Sequence, residues 1–395
     1  MGIGGSERLV TDAAVALNAR GHAVTIYVPD REEVAQFPAL ADHEIPFDTT
    51  GASLPSHLAG RLRAPMAIAR TAYAGWQMSQ RHDAPQVIFS DVVPHVIPLV
   101  KRWTRAPILY YCHFPDLLLT REGSRDSAVY RAYRRPLDRI EERGVAAADV
   151  VVTNSHFTAG IVRASLPSVA PERIRVLYPG VSVPAAPMAR PANESDLVML
   201  SVGRFDPRKN LNLAVEALLA LRARIPPALF SRVRLVLAGY HDRRLPEAVA
   251  LVDQLQARVE AKNLGAHVRF AFSPDEQGRQ ALVARCRLVV YTPTAEHFGY
   301  VPVEAMAAGR PVVAVNAAGP AETVRHGVTG WLCDPTPEAF ADAAARLLSD
   351  QDAADNMGRA GHAHVTQHFS LDAFGDSLHA LVEGLASPTT MPASR

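Results

Sequence analysis

Two glutamates, Glu296 and Glu304, bracket seven residues in the segment AEHFGYVPVEAMAAGRPVVAV. A buried strand is expected over residues 288–291, just before the first glutamate. A short helix should carry the second in its first turn, with Pro302 suiting the helix start and Gly309 followed by Pro311 ending it. Between the carboxylates run His297, Phe298, Gly299, Tyr300 and Val301, whose backbone N–H groups would lie at the positive end of that helix. Such a position attracts an anion, most naturally a phosphate. Carboxylates beside a phosphate repel it unless they hold something else, and sugar hydroxyls are the natural candidates. The segment therefore reads as a nucleotide-sugar site, with diphosphate on the amides, hexose on Glu296 and ribose on Glu304.

A second segment, SVGRFDPRKN from Ser201 to Asn210, points to the same chemistry. A strand ends at Gly203, a loop carries Arg204 and Lys209, and Asn210 can cap the next helix. The carboxyl end of the first strand of a doubly wound domain is where ligands bind. Arg204 and Lys209 there could clamp a diphosphate and stabilise it as it leaves. The plainer alternative, two solvated cations on a polar loop, is outweighed by the glutamate pair. Lys209 stands out further because the chain has only three lysines, Lys101, Lys209 and Lys262, among 41 basic residues.

Weaker signals come from the first half. Gly4 and Gly5 could let backbone approach a phosphate before a helix that carries Glu7, although a lone glycine pair is more often a turn. His113 follows a strand in YCHFPD, where a histidine can donate to a sugar hydroxyl, or can simply be packed at a strand end. Taken alone, packing is the better reading of His113. Residues 57–145 hold fourteen basic against eight acidic residues, with Arg131, Arg134 and Arg135 near Tyr130 and Tyr133. This is either a solvated helical face or a patch attracted to anionic lipid and to a lipid-linked diphosphate.

Other chemistries lack support. Asp350-Gln351-Asp352 has the form of a metal-binding DxD, but its place between terminal helices reads as helix-end polarity. No HExxH, GxSxG, Walker loop or strand-borne GxGxxG occurs, which argues against metalloprotease, hydrolase, P-loop and nicotinamide-dehydrogenase activity. The net charge is +1, so nucleic acid is not an expected partner. Three scattered cysteines, Cys112, Cys286 and Cys333, suit a reducing, cytoplasmic setting and neither a disulfide framework nor a zinc–thiolate site. No run approaches the roughly 18 apolar residues of a spanning helix, and no secretory leader opens the chain.

To position these residues, strands must alternate with helices, the pattern of parallel sheets covered on both faces. The 395 residues divide into an N-terminal domain over 1–183, a proline-rich linker over 184–196 and a second domain over 197–370. A helix over 371–386 is expected to cross back to the first domain, followed by a frayed tail over 387–395. Met1 leads at once into the glycine loop, so the opening strand of the first domain is expected to be missing. The strands near 23–28 and 87–90 would then lack a neighbour.

Together these residues resemble the retaining glycosyltransferases of the GT-B type, in the family marked by a glutamate, seven residues and a glutamate. Within it, CHFPDLLLT, RRPLDRIEE, TNSHFTA, VLYP and YTPTAEHFGYVPVEAM resemble the α-1,3/1,6-mannosyltransferases of the dolichol pathway. The resemblance implies an α/β fold of two Rossmann-like, doubly wound domains facing across a cleft. It implies that Glu296 holds donor-sugar hydroxyls, Glu304 the ribose, and Arg204 and Lys209 the diphosphate. Phe298, Gly299, Tyr300 and Val301 would line the donor, Gly4 and Gly5 would approach the diphosphate, and His113 would contact the hexose.

The expected activity is retaining transfer of mannose from GDP-mannose to a lipid-linked oligosaccharide, with no cofactor and no metal. The expected setting is cytoplasmic, peripheral to the cytosolic face of a membrane through the N-terminal domain. The membrane would be endoplasmic reticulum in a eukaryote or inner membrane in a bacterium. Two alternatives stay open: a bacterial hexosyltransferase of polysaccharide or glycolipid synthesis using another nucleotide sugar, and a catalytically silent nucleotide-sugar-binding scaffold.

Overall fold

The computed structural model describes residues 5–28, 43–57, 63–119, 128–191 and 195–387. The chain forms two units, the first comprising residues 1–180 and 371–395, the second residues 181–370.

The first unit opens with helix α1 (Gly5–Asn18). The helix starts earlier than Glu7, and Gly4 lies outside the described residues. A short parallel ladder joins β1 (Ile26–Tyr27) to β2 (Phe47–Asp48). Then follow α2 (Arg63–Ser79), β3 (Ile88–Asp91), α3 (Ile97–Thr104), β4 (Ile108–Cys112) and α4 (Asp116–Leu119). Next come α5 (Ala128–Ala147), β5 (Val150–Thr153), α6 (His156–Ser165) and β6 (Ile174–Val176). Strands β3 to β6 form one parallel sheet in sequence order, separate from the β1–β2 ladder among the described residues.

Alternation along β4 decides what covers that sheet, because successive strand side chains point to opposite faces. Ile108, Tyr110 and Cys112 enter one core with Val96, Ile97, Val145 and Val162. Leu109 and Tyr111 enter the other with Leu9, Ala13 and Leu17 of α1. Phe374, Leu378 and Val382 of the last helix, α15 (Leu371–Ala386), complete that second core. Each such fully buried Phe or Leu contributes about 1.5–3 kcal/mol, which is why the final helix belongs to the first unit.

The second unit is built on β7 (Leu197–Val202), β8 (Val233–Gly239), β9 (Val268–Phe272), β10 (Leu288–Tyr291), β11 (Val312–Val315) and β12 (Gly330–Cys333). All pair in parallel, in the order β12-β11-β10-β7-β8-β9. The intervening helices are α7 (Leu211–Leu221), α8 (Pro227–Phe230), α9 (Pro246–Ala261), α10 (Glu276–Arg285), α11 (Tyr300–Ala307) and α12 (Ala318–Thr323). After β12 come α13 (Pro337–Ser349) and α14 (Gln351–His368). The described residues between 184 and 196 form no helix or strand. Asp350 of the DxD-like triplet caps α14 by accepting from the Ala353 N–H.

This order is the doubly wound one, in which the winding direction reverses between the first and fourth strands. In the second unit that switch point falls between β7 and β10. In open α/β sheets ligands bind at such a point, outside the carboxyl ends of the strands. The loops leaving β7 and β10 are the two segments in which sequence places Lys209 and Glu296.

Candidate active site

The loop after β7 turns through a short 3-10 helix, Pro207–Lys209. Asp206 caps it by accepting from the Arg208 N–H, and Arg208's side-chain hydrogen bonds hold the Asp206 carboxyl down to about 2. Asn210 takes a left-handed conformation (φ +47°) that redirects the chain into α7. Asn tolerates that region better than most residues. Thr292, just beyond β10, donates to the Lys209 carbonyl at 2.7 Å and ties the two switch-point loops together.

That tie brings Lys209 against the first glutamate. Lys209 Nζ donates to Glu296 Oε2 at 2.5 Å, and the Tyr291 hydroxyl donates to the same oxygen at 2.7 Å. Burial pushes the Glu296 carboxyl up. The Lys209 charge, the two hydrogen bonds and His297 outweigh it and hold the carboxyl below its ordinary range. Burial and the adjacent Glu296 raise the Tyr291 phenol well above its usual value, so it stays a donor. Glu296 is thus fixed as an ionised acceptor at neutral pH, the form that receives hydroxyl hydrogen bonds.

From Glu296 the chain runs to Gly299, whose φ of +87° only glycine adopts at low cost. Helix α11 begins at Tyr300, two residues earlier than expected from Pro302, so Glu304 lies in its second turn and not its first. Gly299, Tyr300 and Val301 form the helix entry, where N–H groups lack intrahelical acceptors. Phe298 differs from the other donor-site candidates. The residue is only 2% exposed and its ring packs edge-on against Tyr300 and Phe369, which makes it part of the core and not a ligand contact. Behind this loop, Gly319 donates its N–H to the Glu296 carbonyl at 2.8 Å. A Cβ there would come within 2.4 Å of the Phe298 carbonyl carbon, so glycine alone permits this packing.

Glu304 accepts from Arg279 Nη1 of α10 at 2.8 Å, and Arg279 is held in turn by Glu276. Arg204 is 63% exposed along its side chain and makes only a loose 3.9 Å approach to Asp206.

In the first unit, His113 follows β4 with its ring tilted against Tyr111 at 4.9 Å. His113 Nε2 lies 3.0 Å from Asp91 Oδ1 at the end of β3, though not aligned as a hydrogen bond. The register pairs Asp91 with Tyr111 and so places it beside the start of the His113 loop. Next to it, Glu141 of α5 accepts from the Asp116 and Leu117 N–H groups at 2.7 and 3.0 Å. Glu141 is 2% exposed, and burial pushes its carboxyl up to about 7. Arg134 pairs with Asp116 and Asp138, each at 2.9 Å. Two motifs distant in sequence, CHFPD and RRPLDRIEE, therefore form one structural element, and Arg134 is engaged inside it. Gly5 opens α1.

Tyr291, Arg279, Asp91 and Glu141 were not singled out from sequence. Tyr291 had a signal, a hydroxyl at the end of the strand leading to Glu296. Arg279 had none, being one arginine of many on a polar helix.

Comparison with known proteins adds the following. Residues 185–364 match the family model described as Glycosyl transferases group 1, and residues 3–183 match Glycosyltransferase Family 4. The chain is 38% identical to Alpha-1,3/1,6-mannosyltransferase ALG2 of Homo sapiens, over 98% of this chain and 94% of that protein. It is 31% identical to the protein of the same name from Saccharomyces cerevisiae, over 97% and 83% of the two chains. Among solved structures, Anabaena Alr3699/HepE in complex with UDP superposes with a TM-score of 0.72 at 20% identity, over 96% of both chains. Sucrose-phosphate synthase of Thermosynechococcus elongatus does so with a TM-score of 0.70 at 21% identity, over 97% and 94%. These two likenesses establish the shared two-domain fold.

Proposed function

Because the chain belongs to the α-1,3/1,6-mannosyltransferase family of GT-B glycosyltransferases, we propose that it moves mannose from GDP-mannose to a lipid-diphosphate-linked glycan with retention of configuration. The observation that carries the site assignment is the junction of Lys209, Tyr291 and Glu296 at the switch point of the second unit. Lys209 has three N–H donors, of which Glu296 uses one, so the same ammonium can also reach a donor phosphate. Glu296, kept ionised, accepts from mannose hydroxyls. Gly299, Tyr300 and Val301 offer N–H groups to the diphosphate, Arg204 is free to swing onto it, and Glu304, steadied by Arg279, accepts from the ribose. His113, with Asp91 beside it, is a candidate donor to a sugar hydroxyl.

The reaction balances without a protein nucleophile. The bond from sugar C1 to the phosphate oxygen breaks, and C1 passes through an oxocarbenium-like state. The acceptor hydroxyl attacks from the same face, and its proton goes to the departing diphosphate. Stabilising that leaving group is the main task of the protein, and oriented cations and amides suffice for it without a metal.

A lipid-linked acceptor calls for work at a membrane surface. No helix among the described residues is long and apolar enough to cross a membrane. Helices α3 and α5 expose Leu99 and Ile140 beside Arg102, Arg135, Arg139 and Arg143. That combination suits peripheral contact with anionic lipid on the cytosolic face.

The deciding assay incubates purified protein with GDP-mannose and a short-chain lipid-diphosphate acceptor bearing mannosylated chitobiose. Expected is an added mannose that α-mannosidase removes, together with thermal stabilisation by GDP-mannose over UDP- and ADP-sugars. No added mannose together with stabilisation by another nucleotide sugar would overturn the proposal.

A further inference from the structure

Among the described residues, the strongest cluster of ligating side chains outside the donor site lies in the first unit, where the chain leaving α1 meets α15. His22 follows α1, and His379 and Glu383 stand one turn apart on α15. His22 Nε2 is 2.8 Å from His379 Nδ1, across 357 residues of sequence, and 3.8 Å from Glu383 Oε1. All three ligand atoms lie within 4.8 Å of one another. We propose that these residues form a binding site for a divalent transition ion of the zinc class, which fastens the C-terminal helix to α1.

The donor set fits that class of ion. Two imidazole nitrogens and one carboxylate oxygen are preferred zinc ligands, and three protein ligands leave a fourth position for water. Zinc–nitrogen bonds of 2.0–2.1 Å in a tetrahedron separate two nitrogens by roughly 3.3 Å. The His22–His379 pair therefore has to open by about half an ångström. His22 and His379 are both half-buried at the surface, where a shift of that size is small, and Glu383, 56% exposed, can swing to meet the ion. Without an ion, the facing nitrogens can coexist only if one ring donates and the other accepts. With an ion, each ring keeps its proton on its other nitrogen and presents a lone pair, so neutral rings change tautomer without net proton release.

The neighbouring contacts show that this seam is a fastening. One turn earlier on α15, Asp376 accepts from Arg20 at 2.7 Å, and Arg20 also donates to the Asp372 carbonyl at 2.9 Å. Asp372, Asp376, His379 and Glu383 thus form one stripe of α15, facing Arg20 and His22 in the segment that follows α1. Behind that stripe, Phe374, Leu378 and Val382 complete a core of the first unit. An ion here would add to stability by linkage, because the unfolded chain does not hold the three ligands together.

The test is Zn²⁺ titration of the full chain, followed calorimetrically and by melting, beside His379→Gln and Glu383→Gln. Glutamine keeps the size and polarity of both side chains, so these variants should fold, and their metal-free melting temperatures check that they do. The expected result is one Zn²⁺ bound per chain and, at a hundredfold excess over Kd, a Tm rise of about 5 °C or more. That increment should vanish in His379→Gln and shrink in Glu383→Gln. If either of these fails to fold, His22→Gln takes its place with the same expectation. Absence of binding to wild type would overturn the proposal, and so would an equal Tm increment in the variants.

Discussion

Lys209 and Glu296 are 87 residues apart in sequence and 2.5 Å apart in space, and Tyr291 donates to the same carboxylate oxygen. The contact joins the loops that leave the two strands flanking the switch point. Removing either charge should delete one of the two groups, the sugar acceptor or the leaving-group cation, and release the other from the contact that orients it. Glu296→Ala and Lys209→Ala are each expected to lower kcat by about 10²-fold or more, the scale of a lost oxyanion donor, with an unchanged circular-dichroism spectrum. Near wild-type turnover in either variant would refute the site assignment.

Arg279 donates to Glu304, the proposed ribose carboxylate. Arg279→Ala should loosen Glu304 without touching the leaving group, raising KM for GDP-mannose by roughly 3- to 30-fold while kcat changes less. A kcat loss as large as that of Lys209→Ala would place Arg279 in the chemistry instead.

Glu141 links stability to pH. Burial raises its folded-state carboxyl to about 7 from the ordinary 4.5. The folded state therefore holds a proton that the unfolded chain releases, and the contribution is full below pH 4.5. It fades as pH rises through about 7, by on the order of 3 kcal/mol at most. Asp12, raised by burial to about 6, adds in the same direction. Melting curves should show Glu141→Gln, relative to wild type, gaining stability between pH 5 and pH 8. A constant difference across that range would contradict the assignment.

Transfer should need no divalent ion, because Lys209, Arg204 and the α11 amides are proposed to meet the diphosphate directly. The measurement belongs in the His379→Gln background, where chelation cannot act through the α1–α15 seam. EDTA should leave the rate within about twofold of its untreated value, on the scale where one lost phosphate-stabilising group costs 10²-fold or more. Loss of activity restored by Mg²⁺ or Mn²⁺ would mean that the phosphate chemistry has been assigned wrongly.

Local sequence determined a good deal of this protein. Apolar strand runs and glycine turns are short-range signals, so the strand leading to Gly203 and β10 over 288–291 could be read directly. Glu296 and Lys209 could be singled out as candidates because residue type and loop position after a strand already restrict their chemistry, and Glu304 because of its spacing from Glu296. What sequence could not supply is which side chains meet once sheets form. The pairing of β7 with β10 puts Lys209 on Glu296 and thereby sets the ionisation of the glutamate. The register of β3 on β4 brings Asp91 to His113, and packing of α5 brings Glu141 under Asp116. Burial turned Phe298 from a candidate ligand contact into core, and the opposite face of β4 drew α15 back to α1. These outcomes depend on long-range contacts and on desolvation, which are properties of the packed chain and have no signature in any short stretch of it.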